Sequence, residues 1–210
     1  MKTEGDKNSS SLTLSLRLKR TLNFCQILQG GFQIGVKVGF SIKQLLCEQF
    51  HLDLDYVENR VSTIFLDGKP VDDMETAIVR EGSTLALSAA MPGLVGATMR
   101  RGGYYAKFRS VISHQQQGAS SESTQGAITV KLFNVLAEEL GPGFLTRGIR
   151  LKAQNLKAFL ENRPAGFWDS LESARLDDRE MRPEELQQME WIEGAELIQL
   201  KVVLPDQAPN

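Results

Sequence analysis

Arg80-Glu81-Gly82-Ser83-Thr84-Leu85-Ala86-Leu87-Ser88-Ala89-Ala90-Met91 opens on a Glu-Gly pair and continues in alternating residues. That pattern predicts a tight turn followed by a strand over 84–90. A weaker form returns far along the chain as Ile192-Glu193-Gly194-Ala195-Glu196-Leu197-Ile198-Gln199-Leu200-Lys201-Val202-Val203. Two turn-strand segments of one design point to a small unit used twice.

Upstream of the first segment, Leu12, Leu14, Leu16 and Leu18 alternate with Thr13, Ser15 and Arg17. Phe32, Ile34, Val36, Val38 and Phe40 alternate after Gly30-Gly31. Period two predicts two half-buried strands, with the glycine pair as the turn of a hairpin. Ser41 with Gln44 three residues on is a capping box. Ile42, Leu45, Leu46 and Phe50 then predict a helix over 42–51. A strand over Val61–Leu66 reaches Asp67-Gly68, a strong turn signal, and a short return strand begins at Lys69, with Pro70 favouring an edge. The order is strand, strand, helix, strand, short strand, strand. It predicts an α+β layer pair of the β-grasp, or ubiquitin-like, kind, a mixed sheet with one helix packed across it.

The second copy follows residues 115–126, a run of Gln, Gly, Ser and Thr that reads as a polar linker. Ile128, Val130 and Leu132 predict its first strand, Gly141-Pro142-Gly143 a turn, and Ile149 with Leu151 the second strand. Asn155 is placed to cap a helix carrying Leu156, Phe159 and Leu160. Leu176-Asp177-Asp178 corresponds to Leu66-Asp67-Gly68, and Glu193-Gly194 to Glu81-Gly82. The reading is therefore two tandem β-grasp domains at 11–92 and 127–204. A flexible tail (1–10), a basic amphipathic connector (93–114), the linker (115–126) and a second tail (205–210) complete the chain.

At 210 residues the chain suits two domains of modest size, and 41% hydrophobic with 24% charged residues is ordinary globular material. Net charge is −2, which argues against a general nucleic-acid binder. The first 11 residues hold no apolar run of a secretory signal, and the least polar run, Leu85–Ala97, is interrupted by Pro92 and too short to span a bilayer. A cytoplasmic protein without a membrane span is expected. Cys25 and Cys47 read as buried, reduced thiols.

Val130-Lys131-Leu132-Phe133 followed by Leu136-Ala137-Glu138-Glu139-Leu140-Gly141, the helix caps at Ser41 and Asn155, and the turn-strand at Glu81-Gly82 resemble the ubiquitin-like sulfur carriers. That family includes the small subunit of molybdopterin synthase and the thiamine-pathway sulfur carrier. The resemblance implies a partner enzyme that adenylates a free terminal Gly-Gly and converts it to a thiocarboxylate. Neither copy carries that terminus: Met91 leads into Pro92-Gly93-Leu94, and Val203 into Leu204-Pro205-Asp206. The pair Gly102-Gly103, after Arg100-Arg101, would become one only if the chain were cleaved after Gly103.

Met99–His114 is basic, with Arg100, Arg101, Lys107 and Arg109 and no acid, and its Tyr104, Phe108, Val111 and Ile112 share one helical face. A basic amphipathic helix with aromatic residues suits a phosphate, an acidic partner or a membrane surface, while the plainer reading, and the favoured one, is a connecting helix packed on the first domain with its charged side in solvent. Arg100, Arg101, Tyr104, Tyr105, Lys107, Phe108 and Arg109 are the candidate partner-binding residues. No residues stand at metal-ligand spacing, no nucleophile motif appears, and no cofactor is expected. Trp168 and Trp191, with Phe167, read as core or core-edge residues. The function expected is that of a non-catalytic, protein-binding adaptor derived from sulfur carriers. The alternative is a carrier or scaffold in cofactor biosynthesis, partnered by an adenylating or sulfur-transfer enzyme.

Overall fold

The computed structural model describes residues 12–18, 24–109 and 124–203. It is an α+β structure with parallel and antiparallel strand pairs and several helices. The chain divides into two compact units, one formed by Leu28–Gly141 and the other by Met1–Ile27 together with Pro142–Asn210. The contiguous bounds expected from the sequence, 11–92 and 127–204, are thereby redrawn. The N-terminal segment joins the C-terminal half, and the strand expected to open the second copy closes the first unit. The tails 1–10 and 205–210, most of the linker, and Val111, Ile112 and His114 lie outside the described residues.

The described chain opens with β1 (Leu12–Leu18) and α1 (Cys25–Gly30). The Leu28–Gly141 unit then contains β2 (Phe32–Val38), α2 (Ile42–Gln44), α3 (Leu54–Asn59), β3 (Thr63–Leu66), β4 (Lys69–Pro70) and β5 (Thr84–Ser88). After α4 (Gly93–Met99) come β6 (Thr124–Phe133) and the start of α5 (Val135–Arg147). The capping box is present as expected. The Gln44 N–H donates to Ser41 Oγ (3.2 Å), and the Ser41 N–H donates to Gln44 Oε1 (3.1 Å). Beyond Gln44 the helix widens into a π-helical turn, Leu45–Gln49, closed by Phe50 N–H donating to the Leu45 carbonyl. The strands stand in the order β4-β3-β5-β6-β2, with β5 and β6 parallel and the other pairs antiparallel. Ile64, Leu66, Leu85, Leu87, Val130 and Leu132 are buried on one face. Phe65, Thr84, Ala86, Ser88, Lys131 and Phe133, the alternate residues, look the other way and line a cavity.

In the other unit, α5 ends and β7 (Ile149–Lys152), α6 (Ala153–Glu161), α7 (Ala165–Asp169), β8 (Leu171–Leu176), β9 (Arg179–Met181), α8 (Pro183–Gln188) and β10 (Leu197–Val203) follow. Their order is β9-β8-β1-β10-β7, with β1 and β10 parallel. Leu14, Leu16, Leu18, Ile198, Leu200 and Val202 are all buried. Phe24, Phe159 and Phe167 form an aromatic cluster with centroids 5.4–6.2 Å apart. The Arg163 guanidinium lies 4.0 Å from the Phe159 centroid and donates to Gln26 Oε1. These contacts fasten the N-terminal segment where β1 has already placed it.

The hairpin of β1 with β2 expected from the sequence is not formed. Both edges of β1 are occupied, by β10 and β8, and β2 pairs with β6. Period two fixes which face of a strand is buried, but it does not choose the neighbour. Gly141-Pro142-Gly143 is likewise no turn but part of α5. A Cβ at Gly141 would come 2.4 Å from Leu28 Cδ1, so the glycine serves close packing. Asn155 lies inside α6, whose N-cap is Lys152.

One correspondence expected from the sequence, Asp67 with Asp177, has a matching local geometry. Asp67 and Asp177 both stand at φ 51°. The Thr84 N–H donates to Asp67 Oδ1 (2.7 Å) and the Asp67 N–H to the Thr84 carbonyl (2.9 Å). The Thr13 N–H donates to Asp177 Oδ1 (2.8 Å) and the Asp177 N–H to the Thr13 carbonyl (2.7 Å). By this contact β1, not β10, corresponds to β5, so the pairing of Glu193-Gly194 with Glu81-Gly82 does not carry over into three dimensions.

Within the Leu28–Gly141 unit, α3 is clamped to α5 by Glu139. It accepts from Tyr56 Oη (2.6 Å) and forms a two-pronged ion pair with Arg60. The Arg60 hydrogen bond, then the Tyr56 hydroxyl, holds the Glu139 carboxyl below its ordinary range. Its stabilising contribution is thus full above the unfolded-state value and is lost as pH falls through the folded-state value. The stability gap between the native protein and E139Q, from urea titrations, is expected to be flat near neutrality and to close in acid. The unit composition predicts that a fragment of residues 127–204 stays unfolded by circular dichroism, because it lacks β1. A fragment of residues 28–141 is expected to give a cooperative urea transition.

Candidate functional site

The candidate site is the stretch from Met91 to Arg109, between the parallel strands β5 and β6. Pro92 starts α4, and Gly93 takes φ 78° to turn the chain back. A Cβ at Gly96 would lie 2.1 Å from the Met91 carbonyl oxygen, so only glycine allows α4 to fold this closely on the strand's exit. The Arg100 N–H donates to the Gly96 carbonyl (3.1 Å) and ends the helix. Gly102, at φ 63°, reverses the chain, and Tyr104–Arg109 form a short 3-10 turn packed on α4. The continuous amphipathic helix expected over 99–114 is thus broken at its glycine pair. Arg100, at φ −63° and ψ 130°, is already extended, and Gly102 then takes a left-handed conformation that glycine adopts at little steric cost.

Two of the four cations hold this stretch in place. Arg109 is 4% exposed and meets Asp72 through two parallel bonds, Nη1 to Oδ2 (3.0 Å) and Nη2 to Oδ1 (2.6 Å). Its Nε donates to the Thr98 carbonyl (2.7 Å), tying the 3-10 turn to α4. Arg101 donates from Nη2 to the Val57 and Glu58 carbonyls, both at 3.2 Å, and its backbone N–H donates to the Ser62 carbonyl (2.9 Å). Burial pulls its guanidinium below its ordinary value. The Arg109 donors and Arg101 Nη2 are thus engaged inside the unit, so both side chains act as anchors of the stretch. Charge pattern alone could not separate an anchoring arginine from an exposed one.

The remaining candidates divide. Arg100 is exposed. Tyr104 and Tyr105 are 79% and 41% exposed, and their rings meet edge to face at 5.2 Å. The backbones of Lys107 and Phe108 belong to the 3-10 turn, and their side chains lie outside the described set. The sequence missed Leu94 and Val95, each 70% exposed on α4. Gly102 and Gly103 sit in a hydrogen-bonded turn, with Gly103 N–H donating to the Arg100 carbonyl and Ala106 N–H to that of Gly103.

Beneath the stretch is a cavity of about 700 Å³, roofed by Met91, Val95 and Met99 and floored by Phe65, Ala86 and Phe133. Ser88, Lys131 and Asn134 add polar atoms, and Asn134 Nδ2 donates to Ser88 Oγ (3.0 Å).

Elsewhere, Cys25 and Cys47 are half-buried thiols, more open than expected, and burial pushes the Cys47 thiol up. Phe167 is buried, Trp168 and Trp191 are half-buried, and Trp191 Nε1 donates to the Leu186 carbonyl (3.0 Å), so both tryptophans belong to the core edge. Among the described residues no group of His, Cys, Asp and Glu could hold a metal, and no helix is long and apolar enough to cross a membrane.

No protein-family model, curated protein or solved structure matches the chain.

Removing the Arg109 guanidinium would take from Asp72, which is 41% exposed, the two charge-assisted bonds that it accepts, and from the Thr98 carbonyl its donor. R109A is expected to cost about 1–3 kcal/mol, less than a fully buried pair, and to raise hydrogen exchange across residues 93–106. Urea denaturation and exchange mass spectrometry measure the two effects.

Proposed function

We propose that the protein is a non-catalytic adaptor built from two β-grasp, ubiquitin-like units, and that it binds a protein partner through the Met91–Arg109 stretch. The observation that carries the reading is the exposed group of Leu94, Val95, Tyr104 and Tyr105 on a backbone pinned from inside by Arg101 and Arg109. Apolar and aromatic side chains held out to solvent on a fixed frame are suited to a partner, because little conformational entropy is lost on docking. Arg100 beside them favours a partner surface with some acidic character. The β-grasp assignment is supported by each unit's mixed sheet, with its one parallel pair, and by the buried faces of α2 and α6.

The carrier alternative asks for a free Gly-Gly terminus. Gly102-Gly103 instead lies in a bonded turn between two anchored arginines, which favours the adaptor. The test is a quantitative pull-down from native cells with wild-type protein and with the variant L94S/V95S/Y104S/Y105S. The variant is expected to keep its urea midpoint and to lose a partner that wild type retains at stoichiometric yield. An unchanged profile, or an adenylate forming at Gly103 on incubation with ATP and an activating enzyme, would sink the proposal.

A further inference from the structure

We infer that the cavity under Met91–Met99 binds a small amphiphilic carboxylate, its apolar body between the roof and the sheet and its carboxylate on Lys131. Val95 belongs to both this cavity and the partner-binding group, whereas Leu94, Tyr104 and Tyr105 lie outside the cavity lining.

Size comes first. A volume of about 700 Å³ falls in the range of small-molecule sites, roughly 300–1,000 Å³. Chemistry comes second. Phe65, Ala86, Met91, Met99 and Phe133 present an apolar wall, and two methionines on the roof let it adapt to an unbranched or ring-bearing body. The third consideration is charge. Lys131 lines the same cavity, and among the described residues its ammonium has no hydrogen-bond or carboxylate partner. Its stem runs beside Gly31, where a Cβ would come 3.1 Å from Lys131 Cε. A larger residue at Gly31 would displace that stem. A cation at an apolar cavity selects an anion carried on an apolar body over a neutral molecule of the same shape.

The roof explains why this face of the sheet is a site and not merely a surface. Without α4, Phe65, Ala86 and Phe133 would form an open apolar patch, and α4 covers them while leaving volume beneath. Gly96 brings the roof close to the strand exit, and Arg109 fixes its far end, so the cavity is largely preformed.

The test is isothermal titration of the full chain with dodecanoate, below its micellar concentration, and with dodecanol as the uncharged match. Dodecanoate is expected to bind at one site about tenfold more tightly than dodecanol, the increment of one charge-assisted contact. K131Q is expected to erase that difference by weakening dodecanoate alone. A86F, which fills the floor, is expected to abolish both isotherms; should it fail to fold by circular dichroism, M99W fills the cavity from the roof. Y104S/Y105S is expected to leave dodecanoate affinity unchanged, which separates this site from the outer surface. Absence of dodecanoate binding, equal affinity for the alcohol, or binding that survives both cavity-filling variants would overturn the inference.

Discussion

The parallel pairing of central strands is the constraint on which the rest of the structure depends. Antiparallel neighbours can be joined by a two-residue turn, but parallel neighbours need the chain carried back along the sheet by a crossover. Each unit has one such pair, β5 with β6 and β1 with β10. In the Leu28–Gly141 unit the crossover is the stretch after Ala89, and it is there that α4, the anchored arginines and the exposed tyrosines are found. The candidate site is therefore the means by which two parallel strands are connected, elaborated into a surface and a roof. In the other unit the strands of the parallel pair lie near opposite ends of the sequence.

Burial and electrostatics divide the work within that crossover. Apolar side chains of the sheet's second face would be exposed without a cover. The cover is itself too short and too glycine-rich to hold its shape by helix propensity alone. Arg109 and Arg101 supply what propensity does not, by satisfying carbonyls at helix ends and neutralising Asp72. The guanidinium suits this role because its donors lie in a rigid fork that can serve a carboxylate and a carbonyl at once. Anchoring from within holds the backbone of the outward residues in place.

Much of the local structure is legible in the residues. Alternation at Leu12–Leu18, Phe32–Val38 and Leu197–Val203 marks strands that exist, and Ser41 with Gln44 marks a cap that forms. The likeness of Asp67 and Asp177 survives as a shared backbone conformation and shared bonds. Strand neighbours are not legible, because any alternating strand of Leu, Ile and Val offers the same ladder to any other. Leu200 in the place expected of a last strand, and Leu14 in that of a first, satisfy the core equally well when their neighbours change. The arginines show the same limit in the site. Their cluster in sequence suggested a basic face, yet two of the four are drawn inward by carbonyls and an aspartate that only the fold brings near.

The placement of β1 also bears on how the chain acquires its structure during synthesis. Leu28–Gly141 can close on itself once its own last residues have been made. β1 is translated before any of it, yet its neighbours β8 and β10 are among the last strands to emerge. Throughout that interval a run of alternating leucines waits without its edges paired, which is the condition under which strands join the wrong chain. Its polar alternates, Thr13, Ser15 and Arg17, keep one side of that waiting strand hydrated. The order in which the ribosome delivers this protein and the order in which its sheet can be completed run in opposite directions for the first strand.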